Sequence, residues 1–257
     1  MLMAFEERGS GPAVILLHGY PLSRAMWASQ IPELTTRYRL IMPDMRGMGE
    51  TPPSDVEMTM DTLADDVVAL LDHLRISGPV VVGGLSMGGY VAQAFAINHP
   101  DRLRGLILMD TKAVNDTPDM AAKREETAAE VLETGDVVKV VESMIPRLFS
   151  PDTLSEPERI APLKAVMEAT TPKGVAGALR AMAVRPDRRP DLYKIQVPTL
   201  VLVGAEDAIA TPTEAQAIAD AMPDSRFAVI PQAGHMAPWE NPEVVNAAIL
   251  DFLDRLV

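Results

Sequence analysis

A serine flanked by glycines is the most informative short motif in the sequence, in Gly84-Leu85-Ser86-Met87-Gly88. A run of valines before it predicts a strand, and the residues after it predict a helix. A nucleophile at a sharp turn from strand to helix has strained backbone, and side chains two positions before and after it would collide. The motif therefore predicts that Ser86 is a nucleophile at the carboxyl edge of a sheet. The alternative is an ordinary glycine-rich turn with a capping serine.

A serine nucleophile needs a general base, and His235 is the best placed of the four histidines. It follows the last predicted strand by a few residues. His73 falls inside a helical pattern, and His99 lies at the far end of the helix that follows the serine. His18 follows an early predicted strand, where a role in the loop itself is favoured. We therefore predict that His235 is the base.

The base needs an acid that orients it, and Asp207 lies just past the end of the penultimate predicted strand. A buried carboxylate there would fix the imidazole tautomer and stabilise the imidazolium that forms. Two rivals stay open, because Glu206 is adjacent and Asp110 also ends a predicted strand. Asp207 is favoured, and it gives the chain order serine, aspartate, histidine that is typical of nucleophiles at such turns.

Acyl transfer also needs hydrogen-bond donors for the oxygen on which negative charge develops. One predicted donor is the backbone N–H of Met87, immediately after the nucleophile. The other is the backbone N–H of Tyr20, in the loop after an early strand. In that loop Gly19 lets the chain turn towards the serine, and Pro21 has no N–H to donate. The alternative is an ordinary turn at this Gly-Tyr-Pro segment.

These residues need a sheet to bring them together, and short apolar runs predict its strands. The runs cover residues 13–17, 39–42, 79–83, 105–109, 199–203 and 226–230. Helical patterns lie between them, near residues 24–37, 60–74, 87–98, 213–222 and 242–256. Nearly continuous apolar strands are typical of parallel strands with helices on both faces. The alternation predicts an α/β fold with a doubly wound, mostly parallel sheet.

The alternation breaks once, between residues 111 and 190, where no run predicts a strand. Residues 121–132, 137–148 and 161–168 have helical patterns instead, and prolines separate them. A connection of about 80 residues is too long for a loop. We therefore predict a core domain of residues 1–110 and 191–257, with a small helical lid of residues 111–190 inserted between two strands.

Composition excludes several other kinds of chemistry. The chain contains no cysteine, which excludes disulfides, cysteine-ligated metals and thiol catalysis. Its histidines lie far apart, and we expect neither a metal nor another cofactor. A net charge of −13 makes nucleic acid and anionic membranes poor partners. The N-terminal residues lack the basic start and apolar run of a signal peptide, so we expect a cytoplasmic protein. The oligomeric state stays open.

Two groups of charged residues have both a structural and a functional interpretation. Asp44 and Arg46 precede Gly47 and Gly49, and an ion pair or hydrogen-bond hub that holds loops is favoured over substrate binding. Four arginines lie near the end of the predicted lid, where a solvated and partly paired surface is favoured over a carboxylate-binding site. They are Arg180, Arg185, Arg188 and Arg189.

The sequence resembles the α/β-hydrolase superfamily over nearly its whole length, with only the predicted lid lacking a recognisable signature. The matching segments, in the superfamily's order, are His18-Gly19-Tyr20-Pro21, Asp44-Met45-Arg46-Gly47-Met48-Gly49, Gly84-Leu85-Ser86-Met87-Gly88-Gly89, Gly204-Ala205-Glu206-Asp207 and Gly234-His235. Within the superfamily the chain is similar to small lidded carboxylesterases, enol-lactonases and perhydrolase-like enzymes. That similarity is greatest in residues 18–22 and the Met26-Trp27 pair that follows.

The resemblance implies a sheet of the eight-stranded type, a Ser86–His235–Asp207 triad, Tyr20 and Met87 as oxyanion donors, and no cofactor. We expect a serine hydrolase that cleaves small-molecule carboxylic esters of small to medium acyl chain through an acyl-enzyme intermediate. One alternative keeps the triad but uses it for perhydrolysis, enol-lactone opening or C–C hydrolysis. Another is a ligand receptor on a hydrolase fold, because the fold alone does not name the function.

Overall fold

The computed structural model describes residues 1–256, and a single sheet forms its centre. Its strands are β1 (Phe5–Arg8), β2 (Ala13–Leu17), β3 (Arg39–Pro43), β4 (Val80–Leu85), β5 (Leu103–Met109), β6 (Thr199–Gly204) and β7 (Ser225–Ile230). The order across the sheet is β1-β3-β2-β4-β5-β6-β7. The β1–β3 pair is antiparallel, and every other neighbouring pair is parallel. The predicted doubly wound, mostly parallel α/β fold is confirmed.

The predicted strands are all present, but the expected strand count is wrong. Within residues 1–256 the sheet has seven strands rather than eight. Sequence patterns also missed β1, whose sequence Phe-Glu-Glu-Arg has no apolar run. This strand lies at the edge of the sheet and is partly exposed, where charged side chains are tolerated and discourage pairing with other chains.

Helices fill the connections between the strands. They are α1 (Ile31–Leu34), α2 (Met60–His73), α3 (Met87–Asn98), α4 (Pro118–Thr134), α5 (Val137–Leu148), α6 (Pro151–Leu154), α7 (Pro157–Glu168), α8 (Pro172–Ala183), α9 (Pro212–Asp220), α10 (Ala237–Glu240) and α11 (Pro242–Asp254). Short 3-10 helices add Arg24–Trp27, Pro100–Arg102 and Arg189–Lys194. No helix within residues 1–256 is long and apolar enough to cross a membrane.

The single helix predicted for residues 24–37 is wrong. This segment forms the 3-10 helix Arg24–Trp27 and then the short helix α1. Pro32 explains the break, because it has no N–H to donate to the carbonyl of Ala28 in a continuous helix.

Helices α4 to α8 form one continuous insertion between β5 and β6, which we call the helical insertion. Within it α4 packs against α8, and α5 and α6 pack against α7. Sequence patterns missed α6 and α8. Both begin with a proline at the first helical turn after a capping serine or threonine, Ser150 and Thr171. The division into a core and a lid with boundaries at residues 111 and 190 stays a prediction.

Candidate active site

Ser86 lies at the turn between β4 and α3, with backbone angles φ 53° and ψ −113°. A side chain is strained in this left-handed region, which L-residues rarely adopt. The two flanking glycines make the turn possible. A Cβ at Gly84 would overlap the carbonyl of Gly88, and a Cβ at Gly88 would overlap the carbonyl of Leu17. The first turn of α3 therefore packs directly against the end of β2.

The structure brings Ser86, His235 and Asp207 into one hydrogen-bonded row. His235 Nε2 is 2.8 Å from Ser86 Oγ, and His235 Nδ1 is 2.8 Å from Asp207 Oδ2. His235 and Asp207 are each only 3% exposed. The three residues come from loops after β4, β6 and β7, whose carboxyl ends lie at the same edge of the parallel sheet.

The loop after β6 holds the Asp207 carboxylate in place through its backbone. Asp207 Oδ1 accepts the N–H groups of Ile209 at 2.7 Å and Ala210 at 2.9 Å, which leaves Oδ2 for His235. The neighbouring Glu206 is exposed. An acceptor fixed in this way requires His235 to carry its proton on Nδ1 and to present Nε2 as a base to the serine.

Asp110, the other rival acid, lies beside Asp207 and is not hydrogen-bonded to His235. It is fully buried, its Oδ1 accepts the N–H of Gly204 at 2.8 Å, and its Oδ2 has no donor among the described residues. Burial and the adjacent negative charge of Asp207 raise the pKa of Asp110 well above its ordinary value. Asp207 receives three hydrogen bonds, from Ile209, Ala210 and His235, whereas Asp110 receives one, from Gly204.

The two expected oxyanion donors lie in segments that adjoin Ser86. Gly19 lies so close that a Cβ there would be 3.6 Å from Ser86 Cβ. The backbone N–H of Tyr20 follows in this loop, and the N–H of Met87 begins α3. Neither N–H donates to another residue within the described chain. Backbone N–H groups without an acceptor beside a serine are suited to an oxyanion hole, and the roles of Tyr20 and Met87 stay predictions.

Comparison with known proteins supports this architecture. A family model described as the alpha/beta hydrolase fold matches residues 12–242. The chain belongs to the α/β-hydrolase family. It is 45% identical to a thermophilic esterase from Thermogutta terrifontis solved with malate bound, over 99% of this chain and 93% of that one, with a TM-score of 0.96.

Two enol-lactonases are also similar to the hydrolase. The 3-oxoadipate enol-lactonase 2 of Acinetobacter baylyi is 29% identical, over 95% of this chain and 89% of that protein. The structure of the enol-lactonase from Burkholderia xenovorans is 28% identical, with a TM-score of 0.91, over 98% of this chain and 96% of that one. The expected membership of an esterase and enol-lactonase group is confirmed.

His18 fixes the oxyanion loop of the hydrolase and lies outside the triad. Its Nδ1 is 2.8 Å from the carbonyl of Gly19, and its Nε2 accepts the N–H of Met45 at 2.9 Å. This pairing requires the neutral ring, and complete burial lowers the pKa of His18 below its ordinary value. The favoured loop role of His18 agrees with these contacts.

The loop of Asp44 and Arg46 is held as the sequence suggested. Asp44 accepts backbone N–H groups from Arg24 at 2.7 Å and Glu50 at 2.9 Å, and it pairs with the Arg24 side chain. Arg46 pairs with the buried carboxylate of Asp66. These contacts occupy both residues in holding the loop that faces His18.

Sequence reasoning missed Glu240, which connects the histidine loop to the helical insertion. Glu240 is 5% exposed, and its two carboxylate oxygens accept the N–H groups of Gly234 and Ser150, each at 2.7 Å. Gly234 adjoins His235, and Ser150 lies between α5 and α6. The position of Glu240, five residues after the base, is the only sequence signal that could have drawn attention to it.

The arginines of the insertion divide into exposed and buried members. Arg180 and Arg189 are exposed and pair with Glu125 and Asp187, as expected for a solvated surface. That interpretation is wrong for Arg185, which is 7% exposed. Its guanidinium stacks over the Tyr90 ring, with Cζ 4.4 Å from the ring centre. The burial of Arg185 could not be predicted from the spacing of the four arginines, because residues close together in the sequence can lie on opposite sides of one turn.

The described residues offer no site for a metal ion. Among residues 1–256, no group of three or more histidine, aspartate and glutamate side chains is placed to hold one. The side chains at the centre of the site are the hydroxyl of a serine, the imidazole of a histidine and the carboxyl groups of aspartates. These groups are suited to nucleophilic and general acid–base chemistry.

Proposed function

We propose that the protein is a serine hydrolase that cleaves small-molecule carboxylic esters through an acyl-enzyme intermediate. The observation that carries this proposal is the continuous row from Asp207 through His235 to Ser86, with both hydrogen-bond distances at 2.8 Å. It ends on a nucleophile next to two backbone N–H groups that have no acceptor among the described residues.

In the first half-reaction His235 Nε2 removes the proton of Ser86 as Oγ attacks the ester carbonyl carbon. The N–H groups of Tyr20 and Met87 stabilise the negative charge on the former carbonyl oxygen. His235 then gives its proton to the leaving alcohol, and the acyl group stays on Ser86. Asp207 stabilises the imidazolium, since its carboxylate is held by backbone N–H groups and does not need to move.

In the second half-reaction water replaces the alcohol. His235 removes a proton from the water, which attacks the acyl carbon, and the same two N–H groups hold the second oxyanion. The imidazolium then returns the proton to Ser86 Oγ as the carboxylic acid departs. No step needs a metal or a cofactor.

A lactone is a cyclic ester, so the same row of residues could open one without change. Two similar proteins are named enol-lactonases, and another is named an esterase. Enol-lactone opening is therefore the second candidate. Perhydrolysis and C–C hydrolysis would use the same triad with a different attacking group or bond, and they are outcomes of the test below.

The test measures initial rates on p-nitrophenyl acetate, butyrate, octanoate and laurate. Saturable turnover with the highest kcat/KM on the shorter acyl chains supports the proposal. Ser86→Ala should lose nearly all of this rate, whereas Ser155→Ala, an exposed serine of the insertion, should keep it. An unchanged rate in Ser86→Ala contradicts the nucleophile assignment. Absence of turnover on every ester contradicts the esterase proposal and favours lactones, C–C substrates or a receptor.

A further inference from the structure

Glu240 is a buried acid whose carboxylate is held by the backbone of two distant segments. One oxygen accepts the N–H of Gly234, in the histidine loop, and the other accepts the N–H of Ser150, in the helical insertion, each at 2.7 Å. Among the described residues no other group donates to this carboxylate. A buried carboxylate with only two donors loses much of its stabilisation when either donor moves away.

Gly234 is packed closely on two sides. A Cβ at Gly234 would lie 2.8 Å from the carbonyl carbon of Phe149 and 2.8 Å from the nitrogen of Ser150. On the other side, a Cβ at Gly204, at the end of β6, would lie 2.0 Å from the carbonyl oxygen of Gly234. Since Gly234 immediately precedes His235, the turn between α5 and α6 limits where the backbone of the base can lie.

A second set of contacts joins the insertion to α10, the short helix that follows the base. The Arg159 side chain, on α7, donates from Nη2 to the backbone carbonyl of Glu240. In return Trp239 Nε1 donates to the carbonyl of Arg159 at 3.1 Å. The insertion therefore holds the segment that contains His235 both before and after this residue.

The histidine loop has a strained backbone just before the base. Gln232 has a φ of 54°, in the left-handed region. A residue other than glycine persists there only where surrounding contacts determine its conformation. The carbonyl of Ala233 accepts an N–H from the loop after β6 at 2.9 Å, and the Gly234 N–H is bound by the buried carboxylate. Loss of this second contact would let the loop relax and move the adjoining imidazole.

The reaction needs the imidazole at one place. His235 Nε2 must stay within hydrogen-bond distance of Ser86 Oγ, where it now lies at 2.8 Å. Asp207 holds the ring through Nδ1, also at 2.8 Å, but this bond does not fix the backbone from which the ring extends. A displacement of about 1 Å in a catalytic group can lower the rate about 100-fold.

We propose that Glu240 is a positioning residue through which the helical insertion holds His235 in line with Ser86. The insertion then contributes to the rate of proton transfer at the nucleophile. This proposal rests on the serine hydrolase function proposed above. In it Asp207 orients the imidazole ring from the core, and Glu240 fixes the backbone of the histidine loop from the insertion.

The first test replaces Glu240 by glutamine, which has the same size and offers one acceptor instead of two. We expect kcat on p-nitrophenyl butyrate to fall by about 10- to 100-fold, because the imidazole leaves its place beside Ser86. KM should change by less than about threefold, since the ester binds without help from the base. Glu243→Gln, an exposed change in α11, should keep the wild-type kcat.

The second test breaks the same contact from the side of the insertion. Ser150→Pro removes the donated N–H, and the backbone there is compatible with proline, with a φ of −62° at Ser150 and a ψ of 153° at Phe149. It should lower kcat by about 10- to 100-fold as well. Ser150→Ala keeps this N–H and removes only the hydroxyl that caps α6, so its loss of kcat should be clearly smaller.

The two variants should act through one contact. The double variant Glu240→Gln, Ser150→Pro should therefore be about as slow as the slower single variant, rather than slower by the product of the two losses. Circular dichroism in the assay buffer gives the folded fraction of each variant, and all rates are expressed per folded chain. A variant that is only less stable then keeps the wild-type rate.

Labelling with diethyl p-nitrophenyl phosphate measures the action of the base without an ester. Ser86 Oγ displaces p-nitrophenolate from phosphorus, and His235 takes the serine proton. In Glu240→Gln we expect one label per folded chain, as in the wild type, with a rate constant lowered by about the same factor as kcat.

Three results would overturn the positioning role. The first is Glu240→Gln with wild-type kcat and wild-type labelling rate per folded chain. The second is Ser150→Pro that is no slower than Ser150→Ala. The third is a double variant in which the two losses multiply, because the two residues would then act separately.

Labelling also separates this proposal from the esterase function. If the wild type hydrolyses no ester but is labelled at Ser86, and Glu240→Gln is labelled about 10- to 100-fold more slowly, the positioning role stands and the esterase function fails. If esters are hydrolysed but Glu240→Gln matches the wild type in hydrolysis and in labelling, the positioning role fails and the esterase function stands.

Discussion

The helix that follows Ser86 and the first helix of the insertion are built in opposite ways. Helix α3 has 12 residues and is buried continuously from Met87 to Ala96, whereas α4 has 17 residues and buries only Ala128 and Val131. A helix that is apolar on all sides belongs to the core, and one with a narrow apolar stripe lies on the surface. Ser86 thus adjoins a buried helix, whereas the insertion begins with a peripheral one.

Several hydrogen bonds join the helical insertion to the loops at the sheet edge. The Thr170 hydroxyl donates to the carbonyl of Pro21 at 2.8 Å, next to the oxyanion loop. Glu240 binds the N–H groups of Ser150 and Gly234. These contacts hold the insertion against the loops that carry Tyr20 and His235. The sheet edge therefore carries Ser86, Asp207 and His235, and the insertion packs against two of the loops beside them.

The largest effect should come from the acids at the sheet edge. Asp207→Asn should lower kcat by roughly 10⁴-fold, because the amide favours the wrong imidazole tautomer and cannot stabilise the imidazolium. Asp110→Asn should stay within about tenfold of wild type, because the raised pKa of Asp110 favours its neutral form and an amide preserves its acceptor for Gly204. Steady-state kinetics on one p-nitrophenyl ester measures both. Equal losses of kcat in the two variants would contradict the assignment of Asp207, rather than Asp110, as the acid that orients His235.

The next largest effect should be on stability, at the place where the insertion approaches the core most closely. A Cβ at Gly174 in α8 would overlap the backbone carbonyl of Gly47. Gly174→Ala should lower the free energy of unfolding by about 3 kcal/mol, because backbone must shift to make room. Gly177→Ala in the same helix is the control, since its Cβ would meet only the flexible end of Met58 at 3.2 Å. Urea unfolding curves that superimpose for the two variants would contradict this contact.

Replacement of Glu240 should lower stability less than Gly174→Ala does. Glu240→Gln leaves one carbonyl oxygen for two backbone N–H groups and turns an amide N–H₂ towards the other, so the free energy of unfolding should fall by about 2 kcal/mol. Glu243→Gln, an exposed change in the first turn of α11, should leave it within about 0.5 kcal/mol. If Glu240→Gln lowers the free energy of unfolding no more than the control does, the hydrogen bonds of Glu240 to Gly234 and Ser150 do not stabilise the insertion.

The pH dependence of stability should reveal the proton on Asp110. A carboxyl whose pKa is raised on folding contributes stability below its unfolded pKa, and this contribution is lost as pH rises towards the native pKa. Asp207 and Glu240 are the neighbouring acids that oppose its ionisation. Relative to wild type, Asp110→Asn should therefore gain stability above about pH 4, by at most about 1.4 kcal/mol per pH unit. A difference that does not change with pH would contradict a protonated Asp110.

The sheet edge could be predicted from the sequence because each of its residues follows a short apolar strand. Parallel strands end at one edge, so positions after the strands of Ser86, Asp207 and His235 converge without knowledge of the rest of the fold. The choice between Asp207 and Asp110 could not be made by this rule, since both end neighbouring strands. It depends on which carboxylate receives the backbone N–H groups of its own loop.

The insertion was less predictable, for physical reasons. Helix α8 contains Gly174 and Gly177, which weaken a helical pattern although the first is needed for the approach to Gly47. The burial of Arg185 depends on Tyr90, which lies far away in the sequence. Ion pairs and close backbone contacts between distant segments leave no periodic signal, whereas strands and buried helices do.

The most direct test of the account is covalent labelling of the nucleophile with diethyl p-nitrophenyl phosphate. We predict one diethylphosphoryl group per chain, located on the peptide that contains Ser86, with release of p-nitrophenol in equal amount and parallel loss of esterase activity. Ser86→Ala should take up no label. A label on another residue, or full ester turnover by Ser86→Ala, would contradict the assignment of Ser86 as the residue that carries the acyl group.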